Sequence, residues 1–71
     1  MLTELEFLDS TGSEGFAPSI FPYDGPVPVI GDLLYLDFAT FRVVDRVFYY
    51  VQPVGDRWKV SLHCERVPRK G

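Results

Sequence analysis

The chain has almost nothing with which to hold a metal ion or a covalent cross-link. Its 71 residues include one cysteine, Cys64, and one histidine, His63. A single cysteine excludes an intrachain disulfide and suits a reducing compartment better than a secreted scaffold. One His and one Cys would leave carboxylates to complete a four-ligand zinc site, an uncommon arrangement for a structural metal. Neither a metal nor a cofactor is therefore expected. No apolar run approaches the roughly 18–20 residues of a membrane span. The N-terminus, Met1 to Glu6, lacks the basic region and long apolar stretch of a signal peptide, so the expectation is a soluble, cytoplasmic protein. Basic residues are also missing from the whole first part, since no Lys or Arg precedes Arg42.

The chain is rich in aromatic residues, with six Phe, four Tyr and one Trp. A chain of this length is one domain and buries only about 60% of the surface its unfolded form exposes. With no disulfide or metal to support it, packing has to supply the stability. Each aromatic ring can bury roughly 150–250 Å². The charge is divided along the chain. Seven of the ten acids fall within residues 1–40, whereas all seven Lys and Arg follow residue 41, for a net charge of −3. Acidic and basic strands paired across a sheet account for this asymmetry. A nucleic-acid partner is the other account.

Hydrophobic patterning predicts an all-β domain. Residues 1–9 form a first strand, in which Leu5 and Phe7 share one face and Glu4, Glu6 and Leu8 the other. Residues 10–32 read as a loop rich in Pro and Gly. It opens with the turn residues Asp9 to Gly15 and contains Pro18, Pro22, Pro26 and Pro28. One short helical turn fits within 16–28, around Ser19–Phe21. Residues 33–67 read as a three-strand meander: Leu33–Phe38, Phe41–Gln52 and Trp58–Val67, with turns at Ala39–Thr40 and Pro53–Asp56. The middle strand changes phase, since Phe41 and Val43 imply one face and Val44, Phe48 and Tyr50 the other. One extra residue near Val44–Arg46, a β-bulge, reconciles them and bends the strand. The last strand alternates cleanly, with Trp58, Val60, Leu62 and Cys64 inward and Arg57, Lys59, Ser61, His63 and Glu65 outward. Residues 68–71 are a polar tail. The expected fold is a small antiparallel meander of four to five strands that curls into a Src-homology-3-like or partly open barrel.

Catalytic chemistry finds little support. His63 and Cys64 are adjacent in a strand and so point to opposite faces. Ser61 and His63 share a face, but their backbone positions are about 6.6–6.8 Å apart, and nothing marks the serine as activated. Asp9-Ser10-Thr11-Gly12 carries one residue too many for the aspartic-protease signature, and the second aspartate which that chemistry needs has no counterpart. Gly12-Ser13-Glu14-Gly15 lacks the Lys and the following helix of a phosphate loop. No catalytic residue is assigned, and the chain reads as a non-enzymatic protein.

Two binding readings remain. The first is a protein-interaction module that acts through the aromatic loop, with Phe16, Ile20, Phe21 and Tyr23 as candidates, or through an unpaired sheet edge. Such an edge would also permit a homodimer. The alternative is single-stranded nucleic-acid binding on a basic sheet face by Arg42, Arg46, Arg57, Lys59 and His63, with Tyr49 or Tyr50 to stack on bases. Pro28-Val29-Ile30-Gly31-Asp32 and the later run Phe41-Arg42-Val43-Val44-Asp45-Arg46-Val47-Phe48-Tyr49 resemble short uncharacterised bacterial or phage-borne β-proteins. That resemblance covers roughly the last forty residues. It implies a prokaryotic or phage accessory protein and assigns no functional residue.

Overall fold

The structure, a computed structural model, describes residues 2–36, 38–51 and 57–68, and the side chains of Leu2, Val51 and Arg57 lie outside that description. Five strands are present: β1 (Leu2–Asp9), β2 (Gly15–Ile20), β3 (Leu33–Leu36), β4 (Ala39–Val51) and β5 (Arg57–Arg66). They form one sheet in the order β2-β1-β5-β4-β3. The sheet curls into an open half-barrel, the small partly open barrel that the patterning predicts.

Three features differ from the sequence reading. First, β2 lies inside the stretch read as a loop. Pro18 is tolerated there because β2 is an edge strand, where a missing N–H breaks no ladder on the solvent side. The segment around Ser19 is extended, and no helical turn forms in it. Secondly, the sheet is mixed. β1 pairs in parallel with β5, from Leu2 opposite Arg57 to Asp9 opposite Cys64, while the other three pairings are antiparallel. The chain crosses the open side of the sheet between β2 and β3. Two further reversals then bring β5 alongside β1 in the same direction. Thirdly, Ala39 and Thr40 belong to β4 and do not form the β3–β4 turn, because Leu36 already faces Ala39 and Tyr35 faces Thr40. Phe38 adopts a left-handed φ of 65°. The expected turn at Pro53–Asp56, residue Asp37 and the tail from Arg69 lie outside the described residues.

The bulge falls where the phase change requires it. Val43 pairs with Cys64 and Asp45 with His63, so Val44 is the extra residue. Up to Val43, odd-numbered residues of β4 face inward. Beyond the bulge the even-numbered Arg46, Phe48 and Tyr50 do. Leu5, Phe7, Val43, Val60, Leu62 and Cys64 form the buried core, with Phe16, Ala17, Tyr23, Val27, Leu34, Leu36 and Phe41 packed against it. Each fully buried aliphatic side chain contributes about 1.5–3 kcal/mol. The molecule measures 47 × 22 × 19 Å. Its long axis reflects the 13 residues of β4, which at about 3.3 Å each extend well past the core.

Candidate functional site

The outer face of the sheet carries most of the polar side chains. On β5, Ser61 is not solvated as the alternation suggests but only 1% exposed, because β1 and β4 flank it on both sides. Its hydroxyl donates to Glu6 Oε1 at 2.7 Å, and Lys59 Nζ lies 3.2 Å from Glu6 Oε2. Burial pushes the Glu6 carboxyl up, but the hydrogen bonds from Ser61 and Lys59, with the Lys59 and His63 charges, outweigh it and hold Glu6 below the usual carboxylate range. The Ser61 proton is thus committed to a carboxylate that stays ionised. A hydroxyl held this way acts as a structural donor that ties β5 to β1. Burial raises the Cys64 thiol above its ordinary value, and its Sγ donates to the Leu62 carbonyl at 3.6 Å. The thiolate needed for nucleophilic chemistry is therefore disfavoured. A shallow cleft of about 630 Å³ runs over this face, lined by Glu6, Leu8, Tyr49, Lys59 and Ser61 among others, and its polar groups mostly satisfy one another.

The loop after β1 folds back over the same face. Asp9 Oδ1 accepts from the Thr11 hydroxyl at 2.8 Å and from the Ser13 N–H at 3.0 Å. These bonds lower the Asp9 carboxyl from its usual range. Gly12, at φ 78°, lies flat against the His63 imidazole. Asp9 to Gly12 is turn chemistry, and His63 is a packing partner of that turn. Among the described residues, no three His, Cys, Asp or Glu side chains converge as metal ligands.

The basic candidates do not form one surface. Arg42 faces outward and pairs with Glu65 at 3.1 Å, while Lys59 pairs with Glu6. Arg46 lies beyond the bulge and so turns to the inner face. There it donates to the Pro28 carbonyl at 3.1 Å, and its guanidinium sits 5.2 Å from the centre of the Phe48 ring. His63 is covered by Gly12, and the Arg57 side chain lies outside the described residues. Of the two tyrosines, Tyr50 packs on Trp58 with ring centres 5.1 Å apart and Tyr49 faces outward with Lys59, and both line the shallow cleft.

The aromatic loop also divides. Phe16 stacks on Phe41 at 4.3 Å and leans on Phe7 at 6.3 Å, closing one end of the core. The Tyr23 N–H donates to the Thr3 carbonyl at 2.8 Å, and its hydroxyl donates to the Pro26 carbonyl. Ile20 and Phe21 remain exposed. Phe16 and Tyr23 thus cap the core, and only Ile20 and Phe21 offer themselves outward. An apolar cavity of about 340 Å³ opens beside the loop between Thr3, Val27, Phe48, Trp58 and Val60.

The sequence reading passed over β3 as a site. Leu33 is 60% exposed, Tyr35 70% and Phe38 84%. A cleft of about 210 Å³ beside them is lined by Tyr35, Phe38, Ala39, Thr40, Arg66 and Val67. That volume is below the roughly 300–1,000 Å³ of small-molecule sites. The signal was the Leu33-Leu34-Tyr35-Leu36 run itself, apolar on both faces of a strand that ends the sheet. No family model matches the sequence, and neither a curated protein nor a solved structure is significantly similar to it.

Proposed function

We propose that this domain is a non-catalytic protein-interaction module that captures an extended segment of a partner at the free edge of β3. One observation carries the reading: among the described residues, β3 ends the sheet with backbone groups that no strand pairs and with bare apolar side chains beside them. In an antiparallel pair, consecutive residues alternate between bonding their neighbour strand and pointing away from it. The phase is set at the start of the hairpin, where the Val43 N–H donates to Asp32 O at 2.9 Å and the Gly31 N–H donates to Val43 O at 2.8 Å. With the register of Leu34 opposite Phe41 and Leu36 opposite Ala39, Leu34 and Leu36 bond to β4. Leu33 and Tyr35 therefore direct their N–H and C=O groups outward, and both carry exposed side chains. Main-chain bonds for affinity and alternate side chains for selectivity are the ingredients of strand addition.

The other edge is defended. β2 contains Pro18, and its register with β1 shifts twice, both of which discourage edge pairing. β3 is short but has neither device, and no charge lies within it. Phe38 supports the same reading. A bulky residue at a left-handed φ is costly, and one so exposed gains little from its own fold in return.

The test is a displayed library of short extended peptides, panned on the wild-type domain and on Tyr35→Pro. The substitution deletes an outward N–H without touching the β3–β4 ladder. Selected peptides are expected to lose Tyr35→Pro and to protect the Leu33 and Tyr35 amides from hydrogen exchange. Equal binding to both proteins overturns the proposal. A parallel titration with a single-stranded oligonucleotide addresses the nucleic-acid reading. Salt-dependent binding that weakens in Arg42→Gln and Lys59→Gln would favour that reading over strand capture.

A further inference from the structure

We infer that the segment captured is β3 of a second copy of this chain, giving a two-fold dimer with one sheet continuous through a β3–β3 seam. The inference rests on the strand-capture reading and names its partner. Three observations carry it.

The first is register. If Leu34 lies on the two-fold axis, opposite itself, then Leu33 falls opposite the partner copy's Tyr35, and Tyr35 opposite its Leu33. All four residues are outward-bonding positions, so the seam closes with four N–H to C=O hydrogen bonds and leaves none of their groups unpaired. Each Tyr35 ring then lies beside a leucine on the outer face, a favourable aromatic–aliphatic cross-strand pair.

The second is charge. A strand pairing with its own copy fails when like charges oppose each other. Leu33–Leu36 carries none, and in this register Asp32 falls opposite Leu36 of the other copy. The Asp32 carboxylate is also occupied within its own chain, where Oδ2 accepts the Val29 N–H at 2.8 Å.

The third is area. A compact monomer of 8.1 kDa exposes about 4,500 Å², whereas this chain exposes 5060 Å². Its radius of gyration is 12.6 Å, against about 11 Å for a compact chain of this length. The bare side chains of β3 and of Phe38 are the part of that exposed surface the seam would cover, toward the ~800 Å² that each partner contributes to a standard stable interface. Tyr35 and Phe38 together supply about 300 Å² of that exposed surface if each ring presents most of its roughly 200 Å². A domain of this size without a disulfide is also one that oligomerisation commonly supports.

Sedimentation equilibrium from micromolar to millimolar protein is the test. The wild type is expected to rise from 8.1 kDa toward twice that mass. Tyr35→Pro is expected to remain monomeric at the same concentrations, with unchanged far-UV circular dichroism and Trp58 emission. A second variant, Leu34→Cys in a Cys64→Ala background, reads the register directly. Non-hydrogen-bonded partners in an antiparallel pair have Cα atoms about 4.5 Å apart, within disulfide reach, so mild oxidation should link two copies. A wild type that stays monomeric throughout overturns the self-pairing, and the peptide selection then decides strand capture independently. A dimer that persists in Tyr35→Pro, or one that gives no cross-link through Leu34→Cys, places the interface elsewhere and overturns the inference.

Discussion

Glu6→Ala takes the acceptor away from a hydroxyl that is almost fully buried. Ser61 is 1% exposed and donates to Glu6 Oε1 at 2.7 Å. Leaving a buried donor unsatisfied costs about 1–3 kcal/mol. The Lys59–Glu6 pair is partly solvated on both sides and adds at most ~1 kcal/mol. The expected loss is about 2–3 kcal/mol, which lowers Tm by roughly 10–20 °C for a domain of this size. Ser61→Ala removes donor and hydroxyl together, leaves Glu6 its lysine, and should cost only about 1 kcal/mol. The double variant should fall short of the sum by ~1 kcal/mol or more, the coupling expected of a direct contact. The effect is also pH-dependent. Glu6 titrates below its unfolded value near 4.5. Its contribution is therefore fully present above that value and is lost as pH falls through the lowered folded one. Wild-type stability should drop across that acidic window while Glu6→Ala shows a flatter profile. Urea unfolding followed by Trp58 fluorescence at neutral and acidic pH measures all of this. Additivity within about 0.3 kcal/mol, or a Ser61→Ala loss larger than that of Glu6→Ala, would refute the assignment of Ser61 as a structural donor.

Two further predictions concern the loops. Gly12→Ala should lose about 1–2 kcal/mol from its left-handed backbone alone. It should lose more because the new Cβ would sit 2.6 Å from His63 Cε1. His63→Ala should relieve the second part only, which thermal melts of the single and double variants will separate. In the aromatic loop, Phe16→Ala should cost about 3 kcal/mol or more, as for other packed phenylalanines, because its ring stacks on Phe41. The exposed Phe21 should cost under about 1 kcal/mol as Phe21→Ala. Equal losses in denaturant titrations would mean that the loop acts as one unit.

The sequence made the inner face of β5 and the bulge legible, because both depend on local alternation. Val60, Leu62 and Cys64 are buried as the period of two requires, and the conflict between Val43 and Phe48 placed an extra residue near Val44–Arg46, where the structure has it at Val44. The consequence of that bulge was harder to see. Arg42 and Arg46 are four apart and would share a face in a regular strand, yet the bulge sends Arg46 inward to the Pro28 carbonyl. Pro18 concealed β2, because a proline argues against a strand interior and only the sheet order reveals an edge. The burial of Ser61 depends on β1 arriving beside β5, a contact between distant parts of the chain that no local pattern records. The β3 edge escaped notice for a similar reason. Leu33 and Tyr35 look like ordinary strand residues until the sheet is known to end there.

The parallel pairing of β1 with β5 sets the order in which this sheet can be assembled. Every β1–β5 pair spans 55 residues of chain, from Leu2 to Arg57 and from Asp9 to Cys64. β1 with β2 and β3 with β4 are local hairpins that can close early, but an isolated two-stranded hairpin is marginal in water. β5, which leaves the ribosome after the other four strands, is the one that lies in the middle and joins them. Until it arrives, both hairpins wait with their apolar faces open, and the loop-closure entropy of the longest contacts is still to be met. Folding should therefore be slow for the chain's length, and a nascent chain halted before Arg57 would hold two unjoined hairpins in place of a domain.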